Sequence, residues 1–120
     1  MPRFLVHIHT GPENPTKAAL GFLVAATAIG EGHHVDMFLA GDAVTLVEWE
    51  VLANLEGKGT GKLSAHLEAF ISGGGRLFLS GMSAKVRGLD ESVLTGKPAE
   101  FAMPDVLVRL AAEADVVLTY

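Results

Sequence analysis

The chain contains no cysteine among its 120 residues. Disulfide bonds, thiolate catalysis and metal sites with thiolate ligands are therefore excluded. The absence does not identify the cellular compartment, because cytosolic and exported proteins can both lack thiols. Any chemistry must come from hydroxyl, imidazole, carboxylate or basic side chains.

Charged side chains are also scarce, at 19% of the residues, whereas 49% are hydrophobic. The net charge is −5 and the lysines and arginines are scattered, so neither nucleic acid nor an anionic membrane is expected as a partner. A surface this poor in charge favours self-association. Residues 1–4 lead directly into an apolar strand without a signal region, from which we expect a cytoplasmic protein.

Apolar, β-prone segments alternate with helical ones along the whole chain. Strands are predicted at residues 4–9, 34–40, 77–79, 100–103 and 116–120, and helices at 16–29, 43–55, 62–71 and 104–113, with a flexible loop at 57–61 and a helical turn at 83–87. Strands that are apolar on both faces indicate a mainly parallel sheet between helical layers. We predict one domain over residues 1–120, of the three-layer α/β/α class.

The first predicted helix, residues 16–29, is apolar nearly all round and carries a single charge at Lys17. Asn14 and Pro15 are suited to be its N-cap and first helical residue. The helix is too short for a comfortable membrane span. Either another helix or another subunit must cover it, and we expect a homo-oligomer assembled through this helix.

The segment RLFLSGMSAKVRGL, residues 76–89, resembles the strand and active-site turn of the DsrE/DsrF-like family of small sulfur-relay proteins. Three other segments are also similar to the family: the Ala-rich first helix after a Pro-rich loop, FLAGDAV at 38–44 and ADVVLTY at 114–120. In that family a cysteine at the end of a middle strand takes up sulfane sulfur as a persulfide and transfers it. Ser80 stands at the matching position, and a serine hydroxyl cannot carry a persulfide.

The resemblance implies a five-stranded sheet flanked by helices and assembly into trimers or hexamers, often with paralogues. Members without a working cysteine act in some complexes as structural or docking subunits. We therefore expect a small-ligand-binding or accessory subunit linked to sulfur relay. The expected partners are further copies of this chain and a Cys-bearing paralogue.

A ligand site is predicted beyond the carboxyl ends of the strands, where ligands bind in open parallel sheets. The residues at those ends are Thr10, Gly11, Gly41, Asp42, Ser80, Gly81, Met82, Ser83 and Arg87. Amides and hydroxyls there, with positive charge from Arg87 or Lys85, would suit a small polar or anionic ligand. The alternative is a turn whose shape is retained for packing.

Catalytic and metal sites have weaker support, and we predict no catalytic residue, cofactor or metal. Ser80 lacks the GxSxG elbow of serine hydrolases, although an enzyme acting on an anionic substrate at residues 80–83 stays open, as does a purely structural oligomer. His7 and His9 share one face of the first strand, but no third metal ligand has a recognisable spacing. The glycine-rich segment 57–62 does not have phosphate-loop spacing.

Overall fold

The computed structural model describes residues 1–120 as a five-stranded sheet with helices on both faces. The strands of this sheet are β1 (Arg3–Ile8), β2 (His34–Leu39), β5 (Arg76–Ser80), β6 (Ala99–Ala102) and β7 (Val116–Thr119). Two further short strands, β3 (Glu56–Gly57) and β4 (Gly61–Lys62), pair only with each other. The α-helices are α1 (Pro15–Gly30), α2 (Trp49–Asn54), α3 (Leu63–Ser72), α4 (Gly81–Val86) and α5 (Pro104–Glu113). Two 3₁₀ helices span Gly41–Val47 and Glu91–Leu94.

The sheet is parallel throughout, with the strand order β6-β5-β2-β1-β7. Phe38 of β2 lies between His7 of β1 and Phe78 of β5 in the register. Strands that are covered by helices on both faces are mostly apolar, and β2 is buried from Val35 to Leu39 with Asp36 as the one charged residue among them. The predicted α/β class with a parallel, five-stranded sheet is confirmed.

Helix α1 lies on the first face of the sheet and is held there by a buried row of small residues and Phe22. It begins as predicted, because the Asn14 side chain accepts a hydrogen bond from the Lys17 amide at 3.1 Å and Pro15 is its first residue. Helix α3 packs beside it, with Leu63, Leu67 and Phe70 buried. Much of the apolar surface of α1 is thus covered within one chain. None of the helices combines the length and apolar character that a membrane crossing requires.

Two predicted elements between β2 and α3 are wrong. The helix expected over 43–55 is divided into the first 3₁₀ helix and α2, because the Glu48 backbone is extended, with a ψ of 139°. The three-residue repeat of the 3₁₀ helix allows Ala43, Val44, Leu46 and Val47 all to be buried. The expected loop at 57–61 includes a short antiparallel hairpin, β3 and β4. The other predicted elements lie within two residues of the observed bounds.

The second face of the sheet has only α5 against it. A small core of Leu5, Phe38, Phe78, Ala102 and Leu110 forms there. Strand residues alternate between the two faces, so His7, His9, Val117 and Thr119 also lie on this side. Val117 is 46% exposed, and the corner formed by β1 and β7 is left open to solvent.

Candidate functional site

The predicted site residues meet at one edge of the sheet. Ser80 ends β5, Gly41 and Asp42 follow β2, and Thr10 and Gly11 follow β1. The strands are parallel, so all their carboxyl ends lie at this edge. The residues therefore lie at the strand ends as predicted, and their capacity to bind a ligand depends on which of their polar groups are free.

Ser80 is nearly buried, with 8% of its surface exposed. Its Oγ accepts a hydrogen bond from the Ser83 amide at 3.2 Å, which makes Ser80 the N-cap of α4. An N-cap oxygen satisfies one of the backbone amides that the first turn of a helix leaves unpaired. No histidine is hydrogen-bonded to this hydroxyl, so the general base that a serine nucleophile requires is not in place.

Ser83 joins the turns that follow β5 and β2. Its Oγ accepts a hydrogen bond from the Gly41 amide at 2.9 Å. Arg87 strengthens the same junction, since Nη1 donates to the Ser83 carbonyl oxygen at 3.0 Å and Nη2 to Asp42 Oδ1 at 2.8 Å. The positive charge of Arg87 is paired with the Asp42 carboxylate. These groups connect two loops to each other.

Gly11 is required by the close approach of the β1 and β2 loops. A Cβ added at this position would lie 2.5 Å from the Asp42 carbonyl oxygen, and that contact is too short for any real side chain. The Gly11 amide donates to Glu13 Oε2 at 3.0 Å, and Thr10 beside it is 8% exposed. Thr10 and Gly11 thus support the site edge through backbone packing.

A cavity of about 250 Å³ lies beside the turn and is lined by Gly81, Ala84, Lys85, Leu89 and Phe101. Of the nine predicted site residues, only Gly81 lines it. Met82 is 56% exposed at the start of α4. Lys85 belongs to none of the ion pairs, and its ammonium is the positive charge available to a ligand in this cavity.

His7 and His9 are neighbours on the second face, with ring centroids 5.6 Å apart. The His7 ring also meets Phe38 edge-on, and its Nε2 is buried without a hydrogen-bond partner. Burial lowers the pKa of His7, and the neighbouring His9 lowers it further. No group of three His, Cys, Asp or Glu side chains is arranged to hold a metal ion.

The lowered pKa of His7 predicts a loss of stability at acidic pH. Below the unfolded-state pKa of about 6.5 the unfolded chain takes up a proton that the folded chain resists, so stability falls as the pH decreases through this value. His7→Leu should show a smaller decrease in unfolding free energy between about pH 7.5 and pH 5 than the wild type. Urea denaturation at both pH values measures this, and an unchanged pH dependence would contradict it.

Loss of the Ser80 hydroxyl should lower the unfolding free energy by about 1 kcal/mol, because the first turn of α4 loses its cap. The variant is Ser80→Ala, and urea denaturation measures the effect. Ser72→Ala is a matched control, since Ser72 is exposed at the end of α3 and its hydroxyl makes no hydrogen bond within the chain. Equal stability of both variants would show that the cap contributes nothing.

Sequence reasoning did not find the interactions that connect the site loops. The Ser83 and Gly41 partners are 42 positions apart, and Arg87 and Asp42 are 45 apart. No local pattern indicates such pairings. The strand order, which places β5 next to β2, is the information that was lacking.

The fold and the edge of the sheet together define a small parallel α/β protein whose loop junction surrounds a serine at a strand end. A model of the DsrE/DsrF-like family matches residues 3–120, and the chain belongs to that family.

Among solved structures, the ychN protein of E. coli is similar over all of both chains, with a TM-score of 0.79 and 19% identity. A conserved protein of unknown function from Bacteroides thetaiotaomicron, BT1422, is similar over 98% of this chain and 94% of its own, with a TM-score of 0.69 and 12% identity. At these identities the likeness concerns the fold alone. No curated protein sequence matches the chain.

Proposed function

We propose that the chain is an accessory or small-ligand-binding subunit linked to sulfur relay, and that it carries no persulfide of its own. Membership of the family supports the link to sulfur relay, and the chain has no thiol that could hold sulfane sulfur. The observation that carries the proposal is the hydrogen bond from the Ser83 amide to Ser80 Oγ. It gives the hydroxyl at the cysteine position of the family a capping role in place of a chemical one.

Any small anionic ligand of this subunit would bind at the Ser80 edge of the sheet. Lys85 in the adjoining cavity supports this location, because its charge has no carboxylate partner. Arg87 contributes less, since Asp42 already neutralises it. The site as proposed binds and does not catalyse.

Assembly of the subunit in the cytoplasm into a trimer or hexamer, with a Cys-bearing paralogue as a further partner, is part of the proposal. The open corner of the second face supports it, because parallel sheets are normally covered on both faces. Val117 is half-exposed there, and His9 and Thr119 on the same side are exposed as well. This corner is a stronger candidate contact than α1, much of which is already covered.

Native mass spectrometry of the protein purified gently from its own host tests the proposal. We expect three or six copies per particle, together with a Cys-bearing family member or a retained small anion. A monomer with neither would contradict it. Turnover of any substrate that disappears in Ser80→Ala would contradict it as well.

Two matched variants locate the contact within the particle. Val117→Glu should reduce the particle to monomers, because it places a carboxylate in the proposed interface. Leu20→Glu, on the outer side of α1, should leave the particle intact. Leu20 is 36% exposed and Val117 46% exposed, so both variants should fold. The opposite result would place the contact on α1.

A further inference from the structure

Trp49, the only tryptophan of the chain, is 80% exposed. It is the first residue of α2, directly after the break at Glu48. Tryptophan is a large, rigid and mostly apolar side chain, and it is among the residues most enriched at the energetic centres of protein interfaces. The packing of this chain gives no reason for its position.

Two clefts meet at Trp49. The first, of about 650 Å³, lies between residues 47–52 and residues 92–97. The second, of about 510 Å³, lies between α2, α3 and residues 95–97. Trp49, Leu52, Thr95 and Lys97 line both clefts, which therefore form one continuous groove, named here the Trp49 groove.

The floor of the Trp49 groove is apolar. Leu52 and Leu67 are buried core residues, and Ile71 beside them is half-buried. Their side chains line the second cleft and leave room for an aliphatic group from outside. Burying such a group here would remove its apolar surface from water, which favours binding.

The walls of the groove are acidic. Glu48 and Glu50 line the first cleft and Glu68 lines the second, and none of the three belongs to an ion pair. The one basic residue is Lys97, whose Nζ donates to the Val93 carbonyl oxygen at 2.8 Å and whose pKa is lowered by burial. The groove thus presents an excess of negative charge next to an exposed aromatic ring.

We propose that the Trp49 groove is a docking site for a segment of a partner protein that presents a basic side chain next to an aliphatic one. The cation would lie over the indole of Trp49, which attracts it through the ring quadrupole, and would pair with Glu48 or Glu50. The aliphatic side chain would enter the second cleft above Leu52 and Leu67. This surface is separate from the Ser80 edge, and the proposal does not depend on the function proposed there.

Binding can be measured with a synthetic leucine-lysine peptide and followed by calorimetry and by the fluorescence of the single tryptophan. We expect saturable binding and a blue shift of the Trp49 emission as the indole leaves water. Trp49→Ala, and the triple variant Glu48→Gln, Glu50→Gln, Glu68→Gln, should each weaken binding about tenfold or more. Circular dichroism and thermal unfolding confirm that the variants are folded.

Three controls give results that would overturn the proposal. The triple variant Glu31→Gln, Glu56→Gln, Glu100→Gln removes the same charge at exposed sites outside the groove, and an equal loss of affinity would indicate attraction by net charge alone. A leucine-glutamate peptide that binds equally well would exclude the cation. Guanidinium ion alone binding as tightly as the peptide would make the site one for a small molecule.

Discussion

Replacing Phe22 with alanine should lower the free energy of unfolding by about 3–5 kcal/mol. Phe22 is fully buried in the centre of α1 and belongs to the main core between this helix and the sheet. The loss combines the burial free energy of the deleted aromatic ring with the cost of the cavity that the surrounding side chains cannot fill. Denaturation in urea measures the change at constant pH and salt.

Leu20→Ala is the matched control for this prediction, because Leu20 lies on the same helix and is 36% exposed. Its expected cost is below about 1 kcal/mol, since little buried surface is lost. Similar losses in the two variants would mean that α1 is not anchored to the sheet by its inner side. The difference between the two losses of unfolding free energy reports how strongly the inner side of α1 is buried within one chain.

Arg76→Met should destabilise the protein by about 2 kcal/mol, even though Arg76 is on the surface. Asp36 is 2% exposed and accepts two hydrogen bonds from Arg76, at 2.8 and 3.2 Å. Without the guanidinium, the buried carboxylate retains only His34 nearby, at 3.4 Å. The expected cost is smaller than for a fully buried pair because the Arg76 side chain is 51% exposed.

Arg3→Met provides the comparison, because it removes an ion pair whose two side chains are 39% and 52% exposed. Exposed pairs of this kind contribute about 0–1 kcal/mol. The hydrogen bonds that Arg76 donates to Asp36 also raise the pKa of Arg76, so the arginine stays charged at every pH used for the measurement. A ranking in which Arg3→Met costs as much as Arg76→Met would contradict the role of burial.

The strands and most helices could be predicted because their causes are local. Continuous apolar segments such as residues 77–79 form strands buried on both faces, and Asn14 with Pro15 marks the start of α1. The helix expected over 43–55 failed because apolar composition does not distinguish a 3₁₀ helix from an α-helix. Which of the two forms depends on how Val44 and Val47 pack against the sheet.

The candidate site could likewise be predicted only in part. Its place at the strand ends could be predicted, since every parallel strand ends at the same edge. The state of its polar groups could not, because the partner of Ser83 is the distant Gly41 and the partner of Arg87 is the distant Asp42. The exposure of Trp49 could not be predicted from the sequence either, because it depends on how the segment 92–97 passes beside α2.

The amino-acid sequence by itself determined the order along the chain of the five strands of the main sheet, their parallel arrangement and the absence of a thiol at position 80. These follow from hydrophobic pattern and residue identity, which act over a few neighbouring residues. Only the tertiary structure decided that the Ser80 turn is closed by hydrogen bonds, that one corner of the second face is open and that Trp49 lies in a groove. Each of these depends on residues far apart in the chain, which the strand order β6-β5-β2-β1-β7 brings together.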